Sequence, residues 1–224
     1  MVECQDLTKT YLSGRGKMYA LRGVSFTVTP AAMVAIIGKS GSGKTTLLNC
    51  LGALDQPDSG RVLYDGRDLH RLAPGALSLV LRREMGFVFQ FGNLLSYLTV
   101  AENIAFPLTL NRVADAEKKR RVAELLERIG LPDAGRARPH ELSGGEVQRV
   151  AVARAMAHKP RILLADEPTA SLDTATGRSL IRLMCEMGRE NACTMVLSTH
   201  DLEVIDLAEQ CIHIRDGRVQ AAAG

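Results

Sequence analysis

The chain has 224 residues, enough for one α/β unit with an inserted subdomain; a 46% hydrophobic content excludes a disordered or fibrous protein. Its 28 basic and 25 acidic residues leave a net charge of only +3, which excludes the strong basic field of a nucleic-acid binder. The start MVECQDLTKTY has neither the basic opening nor the apolar run of a secretion signal, and no run of about 18 apolar residues occurs. The expectation is a cytosolic chain that spans no membrane.

In chain order, residues 24–28 and 61–64 alternate apolar with polar, the latter before the turn pair Asp65-Gly66, and predict short antiparallel strands. Between them, 33–37 is a continuous apolar run, the pattern of a strand buried on both faces, ending at a glycine-rich stretch. A helix is predicted from Lys44, with Leu47, Leu48, Leu51 and Leu54 on one face. From Leu77 to about Ala157 the period is helical, with Pro107, Pro132 and Pro139 as breaks and Val122, Leu125, Leu126 and Ile129 as an apolar stripe. Within it, Lys118-Lys119-Arg120-Arg121 beside Glu117, Glu124 and Glu127 reads as a solvated helix face.

Two further buried-strand candidates follow at 162–165 and 195–197, each with a helix after it, so the alternation predicts a parallel sheet. Residues 212–219 fold as a hairpin around Asp216-Gly217. The five cysteines, Cys4, Cys50, Cys185, Cys193 and Cys211, show no metal-ligand spacing and read as reduced core thiols.

Residues 38–45, GKSGSGKT, fit the pattern GxxxxGK[ST] between a predicted strand and a predicted helix, where such a loop must lie to cradle phosphates. Gly38, Gly41 and Gly43 let backbone amides turn inward, joined by those of Ser40 and Ser42. Lys44 reaches the β- and γ-phosphates, and Thr45 offers a hydroxyl to Mg²⁺. The strand at 162–165 ends in Asp166-Glu167; beside a phosphate loop this predicts Asp166 holding Mg²⁺ through its water shell and Glu167 as general base. Together these motifs predict a P-loop NTPase.

Leu142-Ser143-Gly144-Gly145-Glu146, followed by Val147-Gln148-Arg149, predicts a helix capped by a Ser143/Glu146 box, with glycines that admit an anion. With the phosphate loop it resembles the signature of the ABC ATPase family. The resemblance implies an α/β fold with a mainly parallel core sheet, an N-terminal antiparallel β subdomain and an inserted helical subdomain. It divides the single domain into a core at about 1–90 and 158–224 and a helical part at about 91–157.

The same resemblance makes Ser143, Gly144, Gly145 and Glu146 a surface for the γ-phosphate held by a second copy, in a head-to-tail dimer binding ATP with Mg²⁺. Gln90, closing Gly86-Phe87-Val88-Phe89-Gln90, resembles the glutamine that senses Mg²⁺ and water. Asp173 of Ser171-Leu172-Asp173 resembles the residue that communicates across the dimer, and doubles as a helix cap. His200 resembles the switch histidine, Thr46 joins the phosphate contacts, and Tyr11 resembles the adenine-stacking aromatic, with Tyr19 as competitor.

The resemblance spans the chain from Leu7 to Arg218 and points to the branch of lipoprotein-releasing, macrolide-export and cell-division ATPases. Ala31-Ala32 and Ala170 depart from that branch, which often has Gly-Glu and Gly there. It implies a peripheral subunit on the cytoplasmic face of the inner membrane and a separate permease, one helix of which docks beside Gln90 and the apolar stretch of Phe91, Leu94, Leu95, Tyr97 and Leu98. A division-type regulator that moves no solute is the alternative. A DNA-maintenance ATPase would need a long coiled coil between Gly43 and Ser143, and a translation factor a second cassette; this chain has neither.

Overall fold

Strands β1 (Val2–Ser13) and β2 (Gly16–Val28) pair antiparallel, and β1 also pairs antiparallel with β4 (Ser59–Tyr64), which turns back at Asp65-Gly66 into β5 (Arg67–Asp68). The resulting order is β2-β1-β4-β5. The alternation at 24–28 and 61–64 thus belongs to longer strands; Val24, Val28, Val62 and Tyr64 are the buried side of it. The structure, a computed structural model, describes residues 1–14 and 16–220.

The chain divides into two compact units, Met1–Leu79 with Thr194–Gly224 and Val80–Cys193. In the first, β3 (Met33–Ile37) pairs parallel with β8 (Thr194–Thr199) on one side and with β9 (Gln210–Arg215) on the other. β9 turns at Asp216-Gly217 into β10 (Arg218–Val219), the expected hairpin. Met33, Val34, Ala35, Ile36, Met195, Val196 and Leu197 are all buried, as two-faced strands require.

Helix α1 (Lys44–Leu51) buries Leu47, Leu48 and Leu51 but ends before Leu54, which is 49% exposed. The predicted stripe was therefore one turn too long: Gly52 caps the helix through its N–H to Leu48 O at 2.9 Å, and the glycine ends the periodicity. Helix α7 (Leu202–Leu207) follows β8. Ala31 adopts φ +56°, a left-handed conformation costing about 1 kcal/mol in a residue with a Cβ.

The second unit is mainly helical around a parallel pair, β6 (Met85–Val88) with β7 (Ile162–Asp166). Its helices are α3 (Val100–Leu110), α4 (Asp115–Arg128), α5 (Gly144–Met156) and α6 (Thr174–Glu190), and α2 (Pro74–Glu84) leads into it. The apolar stripe Val122, Leu125, Leu126 and Ile129 is buried as expected, each such side chain stabilising by about 1.5–3 kcal/mol.

Pro107, expected to break a helix, lies inside α3. An interior proline costs about 3 kcal/mol. Here a Thr99/Glu102 capping box and burial of Val100, Ile104 and Leu108 offset that cost. The cluster at 118–121 is also not one solvated face. Lys119 and Arg120 are exposed, but Arg121 is buried and donates to Met156 O and Ala157 O, both at 3.2 Å, closing the C-terminal end of α5.

Four cysteines are buried thiols outside any disulfide, and burial pushes those of Cys50 and Cys193 up to about 12, which keeps them inert. Cys211 corrects the core-thiol reading, since it is exposed on β9.

Candidate functional site

The phosphate loop leaves the C-terminal end of β3 and enters α1, whose N-cap, Gly43, has φ +108° and supplies no side-chain cap. The first amides of α1 therefore have no side-chain partner at the cap, the condition under which a helix N-terminus takes an anion. Lys44 is buried, and its Nζ donates to Gly38 O at 2.9 Å, which holds the ammonium in the mouth of the loop. A Cβ on Gly38 would meet Ile214 O and Ser42 Oγ at 2.4 Å, and one on Gly43 would meet Ala20 O at 2.4 Å. Ser42 Oγ is buried and, among the described residues, has no hydrogen-bond partner. A loop so tightly folded, with an orphaned hydroxyl and an uncapped helix, fits a polyphosphate. Ser40, Gly41 and Thr45 are exposed along it and Thr46 is half-buried.

His200 follows β8 directly and is exposed. Because Ile37 of β3 is in register with Thr199 of β8, the phosphate loop and His200 leave the parallel strands at the same edge. In the same unit Tyr11 is half-buried, its hydroxyl donating to Asp55 Oδ2 at 2.6 Å, while Lys9 Nζ bonds Asp55 Oδ1 at 2.6 Å and lies 5.2 Å from the Tyr11 ring centre. Burial and the bond to Asp55 push the Tyr11 phenol up. Tyr19, the competing aromatic, is exposed with the Arg22 guanidinium 5.2 Å from its ring centre.

In the second unit the register of Val88 with Ala165 brings Gln90 and the Asp166-Glu167 pair out at one edge of β6 and β7. Asp166 and Glu167 are half-buried, and Glu167 has φ +43°, a strained conformation for a residue with a side chain.

Ser143 is the N-cap of α5, and the capping box is formed: Glu146 N donates to Ser143 Oγ, and Glu146 Oε2 accepts from Ser143 N at 2.8 Å and Oγ at 2.7 Å. The Ser143 bonds hold the Glu146 carboxyl below the usual range. Asp173 caps α6 by accepting from Thr176 N at 3.0 Å, and the Thr176 bonds hold its carboxyl low. Ser143, Gly144, Gly145, Ser171, Asp173 and Thr176 line one concavity of about 490 Å³. A Cβ on Gly145 would come within 2.8 Å of Thr176 Cγ2, so the glycine is what lets the two loops meet.

Two residues to which the sequence reading gave no role of their own organise the Gln90 loop. Arg154 on α5 donates to Gly92 O and Asn93 O, both at 2.7 Å, and Gln148 Nε2 donates to Phe89 O at 2.9 Å. Burial lowers the Arg154 guanidinium. The available signal was a lone arginine between alanines on an apolar helix.

The apolar stretch after Gln90 is partly knit to α3. Asn103 accepts from Leu95 N at 2.8 Å and donates to Leu95 O, Leu98 O and Thr99 O. Phe91 and Tyr97 remain exposed, at 72% and 70%. A groove of about 280 Å³ beside it is lined by Leu81, Phe87, Phe89, Leu95, Phe106 and Leu110 among others.

A phosphate loop with a buried lysine, an acidic strand end and a glycine signature at a capped helix define an ATP-hydrolysing cassette. The chain belongs to the ABC transporter family, whose profile matches residues 21–170. It binds ATP and hydrolyses it. It is 43% identical over 230 residues to the lipoprotein-releasing system ATP-binding protein LolD 2 of Chlorobaculum tepidum, covering 100% of this chain and 93% of that one. It is 42% identical over 226 residues to the macrolide export ATP-binding/permease protein MacB of Syntrophobacter fumaroxidans, of which it spans 32%. The dimeric post-hydrolysis structure of the ATP-binding cassette MJ0796 with ADP and Pi superposes with a TM-score of 0.91 at 39% identity, over 99% of this chain and 97% of that one. The expected fold class, with its antiparallel sheet, parallel strands and helical part, is the one observed.

Proposed function

We propose that two copies of this chain close head to tail on two ATP molecules and drive a separate membrane permease for release or export of a lipoprotein, drug or peptide. The observation that carries this is the concavity where Ser143, Gly144 and Gly145 meet the Asp173 loop. Its glycine amides suit an incoming γ-phosphate, and Asp173 borders it. Likeness to a dimeric ATP-binding cassette and to a lipoprotein-releasing ATP-binding protein supports the same reading.

In this reading Gly38, Ser40, Gly41, Ser42, Gly43 and Thr46 line the polyphosphate, Lys44 stabilises charge on the transferring phosphoryl group and Tyr11 stacks on adenine. Glu167 takes the proton of the attacking water, which Gln90 and His200 orient. Ser143, Gly144, Gly145 and Glu146 complete the partner's site. Mg²⁺ is the cation that Thr45, Asp166 and Gln90 suit, since all offer hard oxygen donors. Bound with the nucleotide, it supplies a Lewis acid that neutralises phosphate charge. Among the described residues no group of three His, Cys, Asp or Glu forms a metal cage, and a cation held largely by phosphate and water needs none.

Among the described residues no helix is long and apolar enough to cross a membrane, and in this reading the pore belongs to the permease partner. We place that partner's docking helix on the groove beside Gln90, with residues 91–157 as the helical subdomain, and the complex at the cytoplasmic face of the inner membrane. Leu95→Asp or Leu98→Asp is expected to abolish co-purification of the permease from native membranes while ATP binding stays within about twofold of wild type, because a buried charge at an apolar contact costs several kcal/mol. Undiminished co-purification would refute the docking site. A partner with a large extracytoplasmic domain supports export; a cell-division protein in its place would favour the signalling alternative.

A further inference from the structure

Stacking on adenine needs only the ring face of Tyr11, which phenylalanine would offer as well. Yet the hydroxyl is committed too. It donates to Asp55 Oδ2 at 2.6 Å, while Lys9 Nζ donates to the other oxygen of that carboxylate at 2.6 Å and to Gln56 O at 2.7 Å. Lys9 Nζ also lies over the ring, 5.2 Å from its centre, and adds a cation–π contact. The hydroxyl therefore fixes where the ring stands.

The place of Asp55 in the chain suits it to this task. Helix α1 opens at Lys44 on the phosphate loop and runs as a rod of about 12 Å to Leu51. The turn after it is pinned to the helix, since Leu54 N and Asp55 N both donate to Asn49 O, at 2.8 and 3.2 Å. The two carboxylates beyond that turn then hold successive residues of β1. Asp55 takes Lys9 and Tyr11, and Asp58 Oδ2 accepts from Thr10 N at 2.7 Å. Asp58 N in turn donates to Thr8 O at 2.8 Å. One continuous stretch, 44–58, thus begins with phosphate-binding residues and ends with the anchor of Tyr11, all within the first unit.

The Lys9 side chain is 13% exposed and that of Asp55 28%, so solvent screens this charge-assisted pair less than a surface ion pair. Burial works to raise the Asp55 carboxyl, but the bonds from Lys9 and Tyr11 outweigh it and hold it below the usual range. It is then ionised at neutral pH and accepts from both partners. Thr46, in the first turn of α1, has its hydroxyl within reach of the same phenol, a second tie between ring and phosphate-binding helix.

We propose that Asp55 is a positioning residue for the nucleotide base: by holding the Tyr11 hydroxyl it sets the span between the ring that stacks on adenine and the loop that binds the phosphates. This rests on the reading of Tyr11 as the stacking residue.

Tyr11→Phe is the sharpest variant, because it keeps the ring and removes only the bond to Asp55. Calorimetric titration of the full chain with ADP is expected to show about a fivefold loss of affinity for Tyr11→Phe, about the same for Asp55→Ala, and no further loss when the two are combined. In steady-state turnover of ATP the loss should appear in KM rather than kcat, since the reacting atoms lie at the far end of the nucleotide. Asp55→Asn still offers an oxygen to the hydroxyl and should recover most of the affinity. A purely structural role for Asp55 would instead lower the melting temperature without separating KM from kcat, and Tyr11→Phe keeps the test intact if Asp55→Ala does not fold. Unchanged affinity in Tyr11→Phe, or losses that add in the double variant, overturns the proposal and leaves the stacking reading in place. Unchanged affinity in Tyr11→Ala removes the stacking reading itself, and the proposal with it.

Discussion

Glu167→Gln is expected to lower ATP turnover by about 10²–10⁴-fold while leaving nucleotide affinity nearly unchanged. Glutamine keeps the size and the hydrogen-bonding reach of the side chain but cannot accept a proton from water. It also tolerates φ +43° as well or as poorly as glutamate, so the fold at the end of β7 is not disturbed. With hydrolysis blocked, ATP should hold two chains together, and size-exclusion chromatography with ATP should move the variant from the monomer to the dimer volume. A variant that turns ATP over at a near-normal rate would place the base elsewhere.

The second large effect concerns Gly43. An alanine there must hold φ +108° and push its Cβ to 2.4 Å from Ala20 O, a backbone atom of a residue that is itself buried beside Leu21 and cannot swing aside. Strain of this kind costs about 1–3 kcal/mol before the clash is counted, so a loss of about 3 kcal/mol or more is expected in denaturant titrations. ATP binding should be lost with it, because the amides at the start of α1 move out of line. Gly41→Ala is the control: its φ is +78°, but nothing lies within 4 Å of the added Cβ, so only about 1–2 kcal/mol of backbone strain is expected. Equal melting of the two variants would show that the contact with Ala20 is not what holds the loop.

Much of the fold was legible because burial imposes a period on the chain. The run 33–37 reads as a two-faced strand since every residue of it must be apolar, and the stripe 122–129 reads as a helix since only every third or fourth one must be. Where that logic failed, a tertiary contact had overruled a local rule. Pro107 stays in α3 because the helix is capped and packed strongly enough to carry it. Arg121 escapes the solvated face because the end of α5 offers it two carbonyls, a partner 35 residues away in sequence. Cys211 faces out because β9 alternates, with Ile212 and Ile214 turned inward.

The chemistry was legible for a different reason. Phosphate binding needs backbone amides and a lysine within one short loop, so its residues are contiguous and announce themselves at 38–45. Capping is equally local, and the Ser143/Glu146 and Asp173/Thr176 contacts follow from spacings of three residues.

The sequence by itself determined that this protein binds and hydrolyses ATP and belongs to the ABC transporter family, because those properties reside in motifs a few residues long. Only the tertiary structure decided which distant residues support them. Arg154 and Gln148 hold the Gln90 loop from a helix some sixty residues later, with |i−j| of 61 and 59 for the bonds to Asn93 and Phe89. Four arginines from three helices likewise converge on one cavity. Such groupings depend on how helices pack, and packing is set by shape complementarity across the whole core, which no local pattern of residue types encodes.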